Sequence, residues 1–281
     1  MSAPRVAFQG EVGAYSEEAA YEAFSQPRVF AKPTFEAVFD DVESGSADFG
    51  ILPIENTLFG SVHVNYDLLR EHDLKILGEV NLRIRHNLLA LRGVDLEDVR
   101  RVLSHPQALG QCKTYLQTAL STAELVPVYD TAGAAKMIAG EAMNDAAAVA
   151  SAKAAEEYGL DVLASGIESN HQNYTRFLVI GTDTKCRGEI SGSNYKTSIV
   201  YALDHAVAGA LFKSLAVFAL RDVDLMKIES RPLVGTPGSY LFYLDIAGHE
   251  AAEPVQRALE HLSEIADLKV LGSYPIGSPV G

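Results

Sequence analysis

Basic residues are scarce in this chain: 23 Lys and Arg stand against 37 Asp and Glu among 281 residues, a formal net charge of −14. Nucleic acid and anionic membrane both need a basic face, so neither is expected as a partner. Cysteine is scarcer still, and Cys112 and Cys186 provide neither a disulfide framework nor a metal-ligand spacing. The start, Met1-Ser2-Ala3-Pro4-Arg5, lacks the apolar core of a secretion signal, and no run approaches the roughly 20 apolar residues of a membrane span. These absences point to a cytoplasmic protein in a reducing compartment that needs no metal or nucleotide cofactor. What is present is a hydrophobic content of 48%, enough for packed cores, over a length suited to roughly two domains.

Strand-like and helix-like segments alternate through the first part. Val6-Ala7-Phe8 reads as a strand, followed by a helix from Ser16 with Tyr21 and Phe24 on one face. Thr34 is placed to cap a helix through Val38 and Val42 that stops at Gly45, ahead of a strand at Phe49-Gly50-Ile51-Leu52. Val102-Leu103 leads to a helix after Pro106, Leu125-Val126 to one after Thr131, and Ala146 to Ala150 to one after Ser151 that ends at Gly159. This alternation predicts an α/β fold with largely parallel sheets, whose ligand sites lie at strand C-termini and the helix starts that follow. Residues 182–195 are polar and turn-rich, a linker. Beyond them a strand at Thr197–Leu203, a helix with Leu211, Leu215 and Phe218, a strand at Leu225–Ser230, a Gly235-Thr236-Pro237-Gly238 turn, a strand at Tyr240–Ile246, a helix with Val255, Leu259 and Leu262 and a strand at Lys269–Leu271 spell βαββαβ, the ferredoxin-like order.

Asn173-Tyr174-Thr175-Arg176-Phe177 runs into the apolar Leu178-Val179-Ile180-Gly181 and so sets an arginine at a strand end. Two readings are open: a structural ion pair, or a guanidinium fork for a substrate carboxylate. Four other segments precede it: Gly10-Glu11-Val12-Gly13-Ala14-Tyr15-Ser16, Pro53-Ile54-Glu55-Asn56-Thr57-Leu58-Phe59-Gly60-Ser61-Val62, Ser104-His105-Pro106-Gln107-Ala108-Leu109-Gly110-Gln111-Cys112, and Asp130-Thr131-Ala132-Gly133-Ala134-Ala135. With Thr175-Arg176-Phe177 this set resembles the motifs of the monofunctional prephenate dehydratases. Gly209-Ala210-Leu211-Phe212 and Glu229-Ser230-Arg231-Pro232 resemble the two phenylalanine-site motifs of that family's ACT domain. The resemblance covers nearly the whole chain in the family's order.

It implies a catalytic domain over 1–183, similar to type II periplasmic binding proteins, with one lobe of 1–78 plus 168–183 and another of 79–167. A linker at 184–195 and an ACT domain at 196–281 would follow. The implied reaction is the decarboxylative dehydration of prephenate to phenylpyruvate, without a cofactor. Thr175 is implied as catalytic, with Glu55, Asn56 and Gln111 beside it; Arg176, Phe177, Ser16, Thr131 and Asn173 would bind substrate. Gly209, Ala210, Leu211, Glu229, Ser230 and Arg231 would hold L-phenylalanine as a feedback ligand, between subunits of a homodimer or homotetramer. Within this set Glu55 reads either as a proton donor with a raised pKa or as an ionised carboxylate that orients Asn56 and nearby amides. Phe177 reads as core or as a wall of the site, and His105 as a base or a structural residue. Two departures from the family pattern are Glu11-Val12, where a proline-containing turn is usual, and Thr57, where serine is usual. Arogenate, the aminated analogue, is an alternative substrate. A non-catalytic anion-binding sensor is the alternative class, against which Thr175 beside Arg176 and the Glu55-Asn56 pair weigh.

Overall fold

The computed structural model describes residues 3–185, 194–203, 207–233, 236 and 238–280. Most of the expected linker, parts of the 235–238 turn and Cys186 lie outside the described residues. By its contacts the chain divides into two units. The first takes residues up to Val62, Val80–Phe177 and the end of the chain from Pro279; the second takes His63–Glu79 and Leu178–Ser278. Residues 63–78, expected in the first lobe, are thus counted with the C-terminal part.

The chain opens with β1 (Arg5–Gln9), α1 (Tyr15–Ala23), β2 (Arg28–Lys32), α2 (Phe35–Glu43), β3 (Phe49–Asn56), β4 (Gly60–Ser61), α3 (His63–Glu71) and β5 (Lys75–Arg83). β1 pairs in parallel with β2 and β3. Val6, Ala7, Phe8, Ile51 and Leu52 are all fully buried, as continuous apolar strands covered on both faces by helices must be. Thr34 caps α2 by accepting the Ala37 N–H at 3.2 Å, the role its position predicted.

A second sheet follows, built from β6 (Asn87–Ala90), β7 (Arg101–Ser104), α4 (Pro106–Gln111), α5 (Lys113–Ala119), β8 (Glu124–Pro127), α6 (Thr131–Glu141), β9 (Ala146–Ala150), α7 (Ala152–Tyr158) and β10 (Asp161–Ser165). Its strand order is β10-β6-β9-β7-β8. Small residues make β9, and every one of Ala146 to Ala150 is fully buried, so α6 can pack close upon it. Ser151 caps α7 through Ala154 N–H, and Gly159 ends it at φ +65°, both as expected from the sequence. The chain returns through β11 (Tyr174–Gly181). Where the two crossings between lobes meet, Ile84 N–H donates to Asn173 O at 2.8 Å and Ile167 N–H to His86 O at 2.9 Å. His86 and Asn173 are therefore fixed side by side at the crossing.

The C-terminal part comprises β12 (Tyr195–Leu203), α8 (Ala210–Ala219), β13 (Leu225–Pro232), β14 (Tyr240–Ala247), α9 (Glu253–Ser263) and β15 (Asp267–Pro275), after which the short β16 (Pro279–Val280) pairs in parallel with β5. Its antiparallel sheet, ordered β13-β14-β12-β15, is the expected βαββαβ arrangement, with Ile199, Phe218, Leu244, Ile246 and Leu262 in its core. Among the described residues no helix is long and apolar enough to cross a membrane.

Candidate active site

A cavity of about 520 Å³ opens within the first unit at the C-terminal ends of its strands. Ser16, Asn56, Gln111, Thr131, Thr175 and Phe177, all expected in the site, line it. Phe177 is both things the sequence allowed, a core side chain 2% exposed and a wall of the cavity. Asn173 lies behind the wall, fully buried. Glu55 is not among the lining residues, and its strand neighbour Asn56 takes the cavity position.

Arg176 is also absent from the lining. Thr175 and Phe177 both face the cavity, and successive residues of a strand point to opposite faces, so Arg176 belongs to the other side of β11. Arg176, expected to clamp a substrate carboxylate, is thus not among the residues that line this cavity.

The polar wall is one hydrogen-bonded chain whose direction can be assigned. Leu58 N–H and Phe59 N–H donate to Asn56 Oδ1 at 2.9 and 3.1 Å, so the amide nitrogen must point the other way. Asn56 Nδ2 then donates to Asn173 Oδ1 at 2.8 Å and to Thr175 Oγ1 at 2.9 Å, with a longer approach of 3.2 Å to Tyr174 O. Asn173 Nδ2 in turn donates to Gln111 Oε1 at 3.0 Å. Because that oxygen can only accept, the short contact from His86 Nε2 requires a proton on Nε2. Burial is the main influence on His86 and lowers its pKa, against hydrogen bonding to Gln111 and the charge of Glu168. The neutral ring leaves Nδ1 as an acceptor, so the one proton of the Tyr15 hydroxyl is shared between Arg85 O at 2.8 Å and His86 Nδ1 at 2.9 Å.

Thr175 is at one end of this chain. Its oxygen accepts from Asn56, and among the described residues nothing takes its proton, so the hydroxyl is left to donate into the cavity. The Gln111 amide nitrogen is likewise unengaged and lines the same space. A third source of donors is α1, whose Ala14 N-cap gives no side-chain bond, with Ala14, Tyr15 and Ser16 all at the cavity. By contrast α6 is already capped, since Asp130 accepts from Gly133 N–H at 2.8 Å, so Thr131 offers chiefly its hydroxyl. Burial raises the pKa of Asp130, with the backbone N–H bonds opposing it. His105 lines the cavity and accepts from Gln107 N–H at 3.3 Å as the cap of α4.

Tyr15, His86 and Asp130 are site residues to which the sequence reading gave no role. Tyr15 and Asp130 stood inside quoted motifs, but His86 had no motif to mark it. A Cβ on Gly13 (φ +89°) would lie 2.8 Å from Ala154 Cα, so this glycine permits the lobes to approach. Glu11 then reaches Lys136 Nζ at 2.8 Å and the Tyr129 hydroxyl at 3.0 Å across the mouth.

In the C-terminal part, Gly209 caps α8 at φ +72°, with Ala210 and Leu211 in its first turn, and Leu211 is 40% exposed. Ser230 is exposed on β13. Its neighbours turn to the other face, where Arg231 Nη1 donates to Asp67 Oδ2 at 2.6 Å and Glu229 Oε1 is 3.1 Å from His63 Nδ1. Two of the three residues expected to hold an amino acid on this strand are thus bonded to α3.

Fold and donors together define an enzyme-like domain of two α/β lobes whose cavity offers hydroxyl, amide and helix-terminal N–H groups to a small polar molecule, followed by a ferredoxin-like module. The prephenate dehydratase family signature matches residues 6–185, and the chain belongs to that family of hydro-lyases. Arogenate dehydratase/prephenate dehydratase 2, chloroplastic, of Arabidopsis thaliana is 51% identical over 284 residues, covering 97% of this chain and 73% of the relative. The prephenate dehydratase of Arthrobacter aurescens, solved in complex with L-Phe, is 31% identical with a TM-score of 0.88 over 96% of this chain and 90% of that one. A solved structure described as a novel type of quorum quenching acylase is 34% identical with a TM-score of 0.88 over 97% of this chain and 98% of that one.

Proposed function

We propose that this chain converts prephenate to phenylpyruvate, with the Thr175 hydroxyl as hydrogen-bond donor to the leaving oxygen. The observation that carries this reading is the direction of the Asn56 amide, set by the Leu58 and Phe59 N–H groups, which makes Thr175 Oγ1 an acceptor toward the protein and a donor toward the cavity. As the bond to the ring carboxylate breaks, its electron pair completes the aromatic ring and the C4–O bond cleaves. The departing hydroxide takes up one proton from solvent to become water, and carbon dioxide leaves. A threonine hydroxyl is a weak acid, so Thr175 stabilises the developing charge on oxygen through hydrogen bonding, with the Gln111 amide as a second donor. Such a positioned donor is worth about 10²–10⁴ in rate, or about 3–5 kcal/mol of barrier.

The uncapped start of α1, with Ser16, suits the side-chain carboxylate, because backbone N–H groups and the helix dipole favour an anion there. The carboxylate that is lost would sit against the apolar side formed by Pro53, Val62 and Phe177, where poor solvation favours its departure as neutral carbon dioxide. The acylase description of one structural neighbour finds less support. Acyl transfer needs a nucleophile held by a base, yet His86 bonds Gln111 and Tyr15, and burial pushes the Cys112 thiol up to about 12.

Regulation by L-phenylalanine at Gly209, Ala210, Leu211 and Ser230, in a pocket shared by two copies of the chain, forms part of the proposal. Exposed Phe212 and Leu220, at 77% and 79%, are apolar surface that a second copy would cover. Pure protein incubated with prephenate and, in parallel, with arogenate tests the reaction. Phenylpyruvate from prephenate is the expected product; turnover of arogenate alone would reassign the substrate, and turnover of neither would leave a binding protein.

A further inference from the structure

The first unit holds a second cavity, of about 550 Å³, and Tyr15 lines both it and the active-site cavity. Its walls carry Glu18 from α1, Arg83 at the end of β5, Arg85 beyond it, and Glu168 and His171 from the returning crossing. Among the described residues, three of these charged groups lack hydrogen-bond partners. Arg83 Nε is buried with none, and Nη2 comes only within 4.0 Å of Glu168 Oε1. Neither the Arg85 guanidinium nor the Glu18 carboxylate makes a hydrogen bond or close ion pair among the described residues; they sense one another only through space. Glu168, in contrast, is occupied: Oε2 accepts the His86 N–H at 3.0 Å, and Oε1 lies 3.4 Å from His171 Nδ1.

An exposed arginine such as Arg85 is ordinarily satisfied by water and by itself means little. A buried guanidinium N–H without an acceptor is different, because buried polar groups in folded proteins are almost always paired. A simple anion would answer the two arginines and leave Glu18 facing like charge. A simple cation would answer Glu18 and leave both guanidinium groups unpaired. We propose that this cavity binds a small zwitterion, a free α-amino acid, with its carboxylate on Arg83 and Arg85 and its ammonium on Glu18. Tyr15 and Ala152 form the less polar wall along which a side chain would lie. The site is separate from the dehydratase reading and from the C-terminal module.

Calorimetry of the full-length protein with glycine, acetate and methylammonium tests it. Glycine is expected to bind, and both Glu18→Gln and Arg83→Gln are expected to weaken it by about tenfold or more, the effect of losing about 1.4 kcal/mol. Acetate and methylammonium each satisfy one half of the charge pattern and should bind at least about tenfold more weakly than glycine. Prephenate turnover near that of the parent shows that the variants are folded. Absence of glycine binding at millimolar concentration, glycine binding unmoved by both variants, or acetate binding as tightly as glycine would each overturn the proposal.

Discussion

Asn56 Nδ2 donates to Thr175 Oγ1 at 2.9 Å, and this one bond settles what the threonine can do for a ligand. A hydroxyl has one proton to give, and here none of it is spent on the protein. Thr175→Ala should therefore lower kcat by about 10²–10³ with KM nearly unchanged, and Thr175→Ser should remain within about tenfold of the parent. Steady-state kinetics with prephenate check this. A Thr175→Ala enzyme with the parent kcat would remove the threonine from the chemistry.

At the far end of the same chain, Tyr15→Phe deletes the hydroxyl that faces His86 Nδ1. The ring then loses the donor that favours the Nε2–H form on which Gln111 and Asn173 depend. A loss of about 1 kcal/mol is typical for one such bond, so kcat should fall about three- to tenfold with little change in melting temperature. A lower melting temperature at unchanged kcat would identify the bond as purely structural.

Arg176 carries the opposite expectation. Off the cavity face of β11, its replacement by lysine should leave KM for prephenate within about twofold, whatever its effect on stability, since an interaction outside the site does not discriminate bound from free enzyme. A KM raised by about tenfold or more would restore the carboxylate clamp.

The contrast between Thr175 and Arg176 shows how far the sequence carried. Alternating segments, the caps at Thr34 and Ser151, the stop at Gly159 and the C-terminal βαββαβ order were legible because each rests on local chemistry: a side-chain oxygen over a helix start, a glycine past its end, a hydrophobic period. Ser16, Asn56, Gln111, Thr131 and Thr175 were legible as a set through their motifs. His86 was not, because its role comes from Ile84 pairing with Asn173 across 89 residues of sequence, a contact that no local pattern records. Nor could the face that Arg176 takes on β11 be read, since an apolar run of strand residues leaves both faces open. The partners of Glu229 and Arg231 on α3 were hidden for the same reason.

Acid should destabilise the protein through His86. Burial lowers its folded pKa, so above about 6.5 the ring is neutral in both states and adds no pH dependence. As pH falls below that value the unfolded chain takes up a proton that the native site resists, and stability is lost progressively until the folded pKa is passed. Thermal unfolding between pH 7 and pH 5 should show this slope, with a smaller one in His86→Gln. An identical slope in the variant would assign the effect to other groups.

Arg231 Nη1 donates to Asp67 Oδ2 at 2.6 Å and to His63 O at 3.0 Å, and Glu229 stands 3.1 Å from His63 Nδ1, so β13 grips the first turns of α3. Val62, the residue just before α3, lines the active-site cavity. If L-phenylalanine settles beside Ser230, it must favour one arrangement of this grip over another, for only differential affinity shifts an equilibrium. The ion pair itself is partly exposed, 24% for Arg231 and 41% for Asp67, so its loss should cost little stability. Its contribution to coupling can be larger, since coupling between sites commonly amounts to about 1–3 kcal/mol. Asp67→Asn should accordingly raise the L-phenylalanine concentration for half-inhibition by about fivefold or more while uninhibited kcat stays within about twofold. Inhibition curves for the parent, Asp67→Asn, Arg231→Lys and the double variant give the test. Equal half-inhibition in the parent and both single variants would show that α3 does not carry the signal.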